Sequence, residues 1–201
     1  MFFVNTISSF RLFVDKKIKL ILRVFFRFDR WHLVSFYERP YARDIVEFAN
    51  SRITRSSVLE IGCGLGDIVR RLDYPIRIAL DNEEEVLSAL IVLNKFQRIF
   101  ASPIEAKFFD LISEQNTGVY SLIIMVNWIH NIDPAILRKK MKCLIQDHLE
   151  IGGELIFDVL DNPNYQFNHS EKNLTSGLEV DTRILGNYEY GRRIIIVTKL
   201  G

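Results

Sequence analysis

The sequence predicts one α/β domain: a mostly parallel sheet with helices on both faces and an antiparallel β-hairpin at the C-terminal end. Three observations lead there. Five short apolar runs alternate with segments of crossover length, a pattern that suits a parallel sheet covered on both faces. Each of the first four runs ends in glycines or in a single polar residue. The last stretch holds two strand-like runs joined by a turn containing Gly186, Asn187 and Gly191.

The chain has 201 residues and no internal repeat, which is the size of one domain with a full core. With 48% hydrophobic and 25% charged residues it is neither disordered nor fibrous. Cys63 and Cys143 stand far apart, and no Cys/His run has zinc-ligand spacing. That argues against a disulfide scaffold or a structural metal and fits a reducing, cytoplasmic compartment. The net charge of +1 hides an asymmetry: residues 1–31 sum to +5 and residues 32–201 to −4. A mildly acidic body is a poor nucleic-acid clamp.

Residues 1–31 form a basic arm. From Phe10 to Phe28, the residues Phe10, Phe13, Val14, Ile18, Ile21, Phe25 and Phe28 recur at helical steps, and Lys16, Lys19, Arg23 and Arg27 recur on another face. This predicts an amphipathic helix. Charges interrupt it too often for a membrane span or a signal-peptide core. Two uses remain open: packing the apolar face on the body or a second subunit, or lying on an anionic membrane surface at the inner face of the membrane. Oligomeric state is not legible.

The domain proper is expected over residues 32–201. Residues 32–52 read as a helix that Pro40 either starts or kinks. Ser57–Ile61 is a buried strand, and 67–72 a helix opening from the glycines that follow it. Residues 76–80 form a second strand. Asn82 and Glu85 give a capping-box-like start to a helix reaching about Gln97. Third and fourth strands fall at 104–109 and 122–126. Asp133-Pro134 caps a helix to about Leu149. Gly152-Gly153 leads into a fifth strand at 154–160, and the hairpin takes 178–185 and 192–199.

Ligands of open α/β sheets bind beyond the carboxyl ends of the strands. Those ends carry Glu60, Gly62, Gly64 and Gly66, then Asp81, Asp110 and Asn127. The first loop is VLEIGCGLGD, residues 58–67. Glycines there let backbone approach a ligand closely. A dinucleotide fingerprint wants a third glycine where Asp67 stands, and a carboxylate there would repel a pyrophosphate. Glu60 and Asp67 together suit a cationic ligand bearing an ammonium.

The pattern h-h-[DE]-h-G-x-G-x-G in this loop resembles motif I of the class I S-adenosylmethionine-dependent methyltransferases. The order of elements over roughly residues 32–200 resembles theirs too, a Rossmann-like mostly parallel seven-stranded sheet with a final antiparallel hairpin. The resemblance implies S-adenosylmethionine as cofactor. It places Gly62, Cys63, Gly64 and Gly66 under the methionine and ribose portion, with Glu60 orienting the loop or the amino group. Asp81, with Asn82 beside it, looks like the acceptor for the ribose hydroxyls. Asp110 would read the adenine amino group, Phe109 or Leu111 would lie against its ring, and Asn127 would face the acceptor. The segment Asn127-Trp128-Ile129-His130 lacks the prolines of the [DN]-P-P-[FYW] pattern carried by methyltransferases acting on planar nitrogens. That points away from exocyclic base methylation. The expected function is O-methylation of a small molecule or, because the basic arm could hold the protein where lipid-linked sugars are made, of a cell-surface glycan intermediate.

An alcohol acceptor needs a base, and His130 is the first candidate. His169, in the polar and aromatic stretch 161–175, is the second. His32, beside Trp31, could close the cofactor pocket from the N-terminal side. A catalytically silent, methyltransferase-like cofactor-binding or partner protein is the alternative function. A nicotinamide-dependent reductase is disfavoured by Asp67 and by the missing Tyr-x-x-x-Lys pair.

Overall fold

A computed structural model describes residues 2–96, 103–108 and 118–201, with side chains from Ser9 onward. Its strands are β1 (Ser57–Ile61), β2 (Ile76–Asp81), β3 (Ile104–Phe108), β4 (Tyr120–Met125), β5 (Leu149–Val159), β6 (Val180–Asn187) and β7 (Arg193–Lys199). They form one seven-stranded sheet in the order β3-β2-β1-β4-β5-β7-β6. The first five are parallel in their pairings, and β7 runs antiparallel between β5 and β6. The α/β class, the parallel core and the C-terminal hairpin are those the sequence predicts.

Successive residues of a strand point to opposite faces, and the core shows it. Val58, Leu122, Ile156 and Ile196 join one apolar cluster with Ala42, Ile45 and Ala49 of helix α2 (Pro40–Ser51). Their neighbours Leu59, Ile123, Leu155 and Val197 join another with Leu137, Met141 and Ile145 of α4 (Pro134–Asp147). Helix α3 (Glu84–Phe96) covers the β2–β3 side. Asp133 caps α4 by accepting from the amides of Ala135 and Ile136, as its sequence predicts.

Several boundaries differ from expectation. Pro40 occupies the first turn of α2 and starts it, while residues before it form two 3-10 turns, Arg30–Leu33 and Phe36–Glu38. Residues 67–72 do not form an α-helix; a 3-10 turn at Val69–Arg71 takes their place. The Val69 amide goes to Glu60 Oε2, and the amides of Arg71 and Leu72 go three residues back. So short a segment cannot offset helix nucleation while side chains compete for its donors. β5 begins at Leu149 and passes through the glycines rather than starting after them.

Helix α1 (Phe2–Phe26) packs on the body with a face turned away from the one its pattern suggests, although Ile18 and the following Phe28 of that pattern do join the core. Lys19, read as part of an outer basic stripe, is fully buried, and Asp15 is largely buried with it. Lys19 Nζ donates to Asp67 Oδ2 at 2.6 Å and to the Val34 carbonyl at 2.8 Å, with Asp15 at 3.5 Å. Asp15 in turn accepts from the Ser35 hydroxyl at 2.5 Å. Buried charges persist only when paired and hydrogen-bonded to this degree. Below them Leu22 and the following Phe28 pack with Val86, Ala89 and Leu93 of α3. Phe10, Phe13, Ile21 and Phe25 point outward.

Candidate active site

The parallel register brings the ends of β1, β2, β4 and β5 to one edge, where Ile61 pairs with Leu80 and Met125 with Phe157. Gly62, Gly64 and Gly66 all have positive φ, between 54° and 70°, which lets the chain leave β1 in a tight coil. Asp81 holds that coil. Its Oδ2 accepts from the Gly64 amide at 2.7 Å and its Oδ1 from the Glu83 amide at 3.1 Å. Burial raises the Asp81 pKa, partly offset by the amides of Gly64, Glu83 and Asn82. Asn82 thus contributes its backbone at this point.

The glycines present bare backbone to flat side chains. A Cβ on Gly62 would lie 2.4 Å from the Trp128 ring, and one on Gly64 would lie 2.9 Å from the His32 ring. Trp31 stacks on His32 at 3.5 Å between ring centroids. His32 is buried, its Nε2 makes no hydrogen bond, and burial with the nearby Arg39 and Lys19 cations pushes its pKa down to about 3. His32 therefore sits on the loop from the N-terminal side as a neutral ring. What is left is a cavity of about 30 Å³ among Trp31, His32, Arg39, Tyr41, Glu60, the glycine loop and Asn127.

Asp67 corrects the sequence reading. Its carboxylate does not wait for a cationic ligand, because Lys19, Arg39, Arg70 and Arg71 all lie within 4 Å. Burial alone would raise its pKa, and those four cations bring it down to about 2. Glu60 is the converse case. Burial pushes its pKa up to about 8, against the Val69 amide bond and with help from Asp67 and Asp81, so it carries a proton at neutral pH. Cys63 is buried beside Asp81 and Glu60; burial first, then those carboxylates, raise its pKa and keep it a thiol. Asp110 and Leu111 lie outside the described residues.

On the β4 side, Asn127 adopts a left-handed φ of 61°, a conformation asparagine tolerates. Its amide donates to Asp158 Oδ1 at 2.8 Å. Asp158 is fully buried near the carboxyl end of β5, and its Oδ2 also lies 3.1 Å from His130 Nε2. Because β7 runs antiparallel to β5, its start reaches this same edge. There Arg192 ion-pairs Asp158 and donates to Asn127 Oδ1 at 3.0 Å. His130 is buried, its ring 4.7 Å from that of Tyr165. With Asp158 accepting from Nε2–H, the basic nitrogen is Nδ1, which makes no hydrogen bond. Burial and the Arg192 charge push the His130 pKa down to about 4, so the ring is neutral above that pH.

His169 stands apart from the glycine loop. Its Nε2 bonds the Ile129 carbonyl at 3.0 Å, and it lines a separate cleft with Arg138, Asn168 and Asn173. Asp158 and Arg192 escaped the sequence reading. The available signal was a lone acid inside the apolar run Leu155–Leu160, since a carboxylate there must be paired.

No protein-family model and no curated protein sequence matches the chain. Solved structures do match its fold. The N-methyltransferase NodS from Bradyrhizobium japonicum WM9 aligns with a TM-score of 0.65 at 18% identity, over 82% of this chain and 97% of that one. SAM-bound CalS10, an amino pentose methyltransferase from Micromonospora echinaspora, aligns at 0.63 and 12%, over 87% and 93%. Magnesium protoporphyrin IX methyltransferase (ChlM) from Synechocystis PCC 6803 with bound SAM aligns at 0.63 and 15%, over 79% and 78%. The chain has the class I S-adenosylmethionine-dependent methyltransferase fold.

Within this methyltransferase fold the donor set suits an adenosyl-methionine group. Asp81 keeps lone pairs for hydroxyls beyond those taken by the two amides, and protonated Glu60 keeps an O–H. The glycine surfaces now against Trp128 and His32 are flat and free of Cβ atoms. The cavity itself is small, about 30 Å³, with Trp31 and His32 lying over the loop.

Proposed function

We propose that the protein is an S-adenosylmethionine-dependent methyltransferase that methylates a hydroxyl of a small molecule or a cell-surface glycan intermediate. The observation that carries this is the buried His130, tied through Nε2 to Asp158 with Nδ1 buried and unpartnered, on the segment that leaves β4 at the same sheet edge as the Asp81-braced glycine loop. S-adenosylmethionine supplies an electrophilic methyl group when bound. In this assignment Glu60, Gly62, Cys63, Gly64, Gly66, Asp81, Asn82 and Asn127 hold it, with Asp110 and Leu111 at its adenine end.

The chain's own residues do the rest. His130 Nδ1 takes the acceptor hydroxyl proton as the oxygen is alkylated, and Asp158 fixes the tautomer and steadies the cation that forms. Arg192 orients both Asp158 and the Asn127 side chain. Alignment of the nucleophile supplies most of the rate in such a displacement. The amino pentose methyltransferase among the structural neighbours supports a sugar-sized acceptor.

The test is a thermal-shift series followed by an acceptor screen. S-adenosylmethionine and S-adenosylhomocysteine should raise the melting temperature by mass action, while NADH and NADPH should not. Hydroxylated sugars and phenols should then be methylated in preference to amino sugars. The opposite cofactor ranking would remove the methyltransferase assignment, and turnover of amines alone would remove the O-methylation.

A further inference from the structure

The outward face of α1 carries Phe10, Phe13, Leu20, Ile21, Val24 and Phe25, all exposed, with Val24 at 71% and Phe25 at 75%. At 100° per residue these six fall within one arc of the helix, opposite the arc of Asp15, Lys19 and Leu22 that faces the body. A helix on a protein surface ordinarily buries its apolar stripe and hydrates its charges. Here an ion pair is buried and the phenylalanines are in water, and the body cannot cover them because it lies on the other side. Past the helix, exposed Val34 lines a groove together with Leu20, and Trp31 is exposed as well. Contiguous exposed patches of this kind mark contact surfaces.

Charge identifies the partner. Residues 1–31 hold only two acids, Asp15 and Asp29, against seven Lys/Arg. Asp15 is buried on Ser35, so it adds nothing to the outward face. Lys17 lies within the apolar arc, its ammonium 5.5 Å from the Phe13 ring centroid, and Arg11 and Arg27 are exposed on its flanks. Two copies meeting on this face would set these cations against one another, with the exposed Asp29 past the helix as the one acid of the arm left to pair them. A surface of anionic lipid supplies the missing countercharge and accepts the aromatics among its acyl chains.

We propose that α1 docks this face flat on an anionic bilayer, with the phenylalanines inserted and Arg11, Lys17 and Arg27 reaching the headgroups. The buried Lys19–Asp67 pair, at 2.6 Å, fixes the helix to the turn after the glycine loop, so the docked face holds the catalytic edge at a set orientation. This goes beyond the methyl-transfer assignment and stands independently of it.

The experiment is co-sedimentation of the full chain with vesicles of phosphatidylcholine alone or with about one-third phosphatidylglycerol, a composition in the anionic range. Binding is expected only to the mixed vesicles, and it should weaken as salt rises from about 0.1 to 1 M and screening shortens from roughly 10 to 3 Å. Each lost cation should cost about fivefold, so Arg11→Gln, Lys17→Gln and Arg27→Gln together should lower partitioning about a hundredfold. Phe13→Ser with Phe25→Ser should abolish binding even at low salt. Melting temperature and S-adenosylhomocysteine affinity should stay level in these variants, which separates failure here from failure of the methyl-transfer assignment. Equal binding to neutral vesicles, or none to anionic ones, would overturn the proposal. So would a concentration-dependent dimer in sedimentation velocity that Phe13→Ser with Phe25→Ser dissolves, because a second copy would then be the partner.

Discussion

At the ends of β1 and β2 the polar atoms are held by backbone, whereas at the ends of β4 and β5 they are held by other side chains. Glu60 accepts from the Val69 amide and Asp81 from the amides of Gly64 and Glu83, all within one stretch of chain. Asn127 and His130 on one segment, Asp158 on β5 and Arg192 before β7 come from three separate parts of the chain, and three of their four contacts are side chain to side chain. A backbone-built pocket varies little when side chains change, which suits a ligand that stays constant. A side-chain cluster can be rebuilt residue by residue, which suits the part of a site that meets a variable acceptor. The proposed division, cofactor on one half and acceptor and proton on the other, rests on this difference.

The strongest way to break the division is His130→Gln. Glutamine keeps a donor for Asp158 but offers no basic nitrogen. Turnover with the acceptor found by screening should fall about 10²- to 10⁴-fold, the usual worth of a positioned base. Calorimetric affinity for S-adenosylhomocysteine should change less than about twofold, since His130 does not line the glycine-loop cavity. A parallel loss of affinity would assign His130 to the cofactor half instead.

Asp81→Ala probes the other half and should show the reverse pattern. The substitution leaves the Gly64 and Glu83 amides without acceptors and removes the acceptor proposed for the ribose hydroxyls. The amides lower stability, while the two ribose hydroxyls left unpaired cost on the order of 2–4 kcal/mol of binding in total, or about 30- to 1,000-fold in affinity. Unchanged S-adenosylhomocysteine affinity in a folded variant would take this strand end out of the binding site.

The same contrast explains what the sequence made legible. The parallel sheet, the hairpin and the β1 glycine coil follow from local patterns, namely apolar runs, turn residues and glycines within a few positions of one another. Glu60 and Asp81 could be chosen because they end strands. Asp158 and Arg192 could not be paired that way, because only the antiparallel return of β7 brings residue 192 beside residue 158. Asp67 misled for a related reason: the cations around it include Lys19, forty-eight residues earlier. The orientation of α1 was hidden as well, since hydrophobic periodicity assumes that the apolar stripe faces the body, and a buried ion pair reverses it.

The smallest effect sharpens the comparison through pH. Glu60 is buried among backbone donors and neighbouring carboxylates, and its pKa in the folded protein rises from the ordinary 4.5 to about 8. A raised carboxyl pKa means that the folded state binds the proton more tightly than the unfolded chain does. Its contribution to stability is therefore complete below about pH 4.5 and is lost as pH climbs through 8. Asp67, depressed by its four cations, works in the opposite sense: its contribution is present above pH 3.8 and lost toward pH 2, outside this window. Glu60→Gln keeps an oxygen to accept from the Val69 amide and removes the titration. Between pH 5 and 8.5 the variant's melting temperature should gain on the wild type by on the order of 10 °C, taking about 1.4 kcal/mol per pH unit up to pH 8 and roughly 2–4 °C per kcal/mol for a chain of this length. Melting curves that shift together with pH would place the Glu60 ionisation outside this window and return a charged carboxylate to the cofactor half.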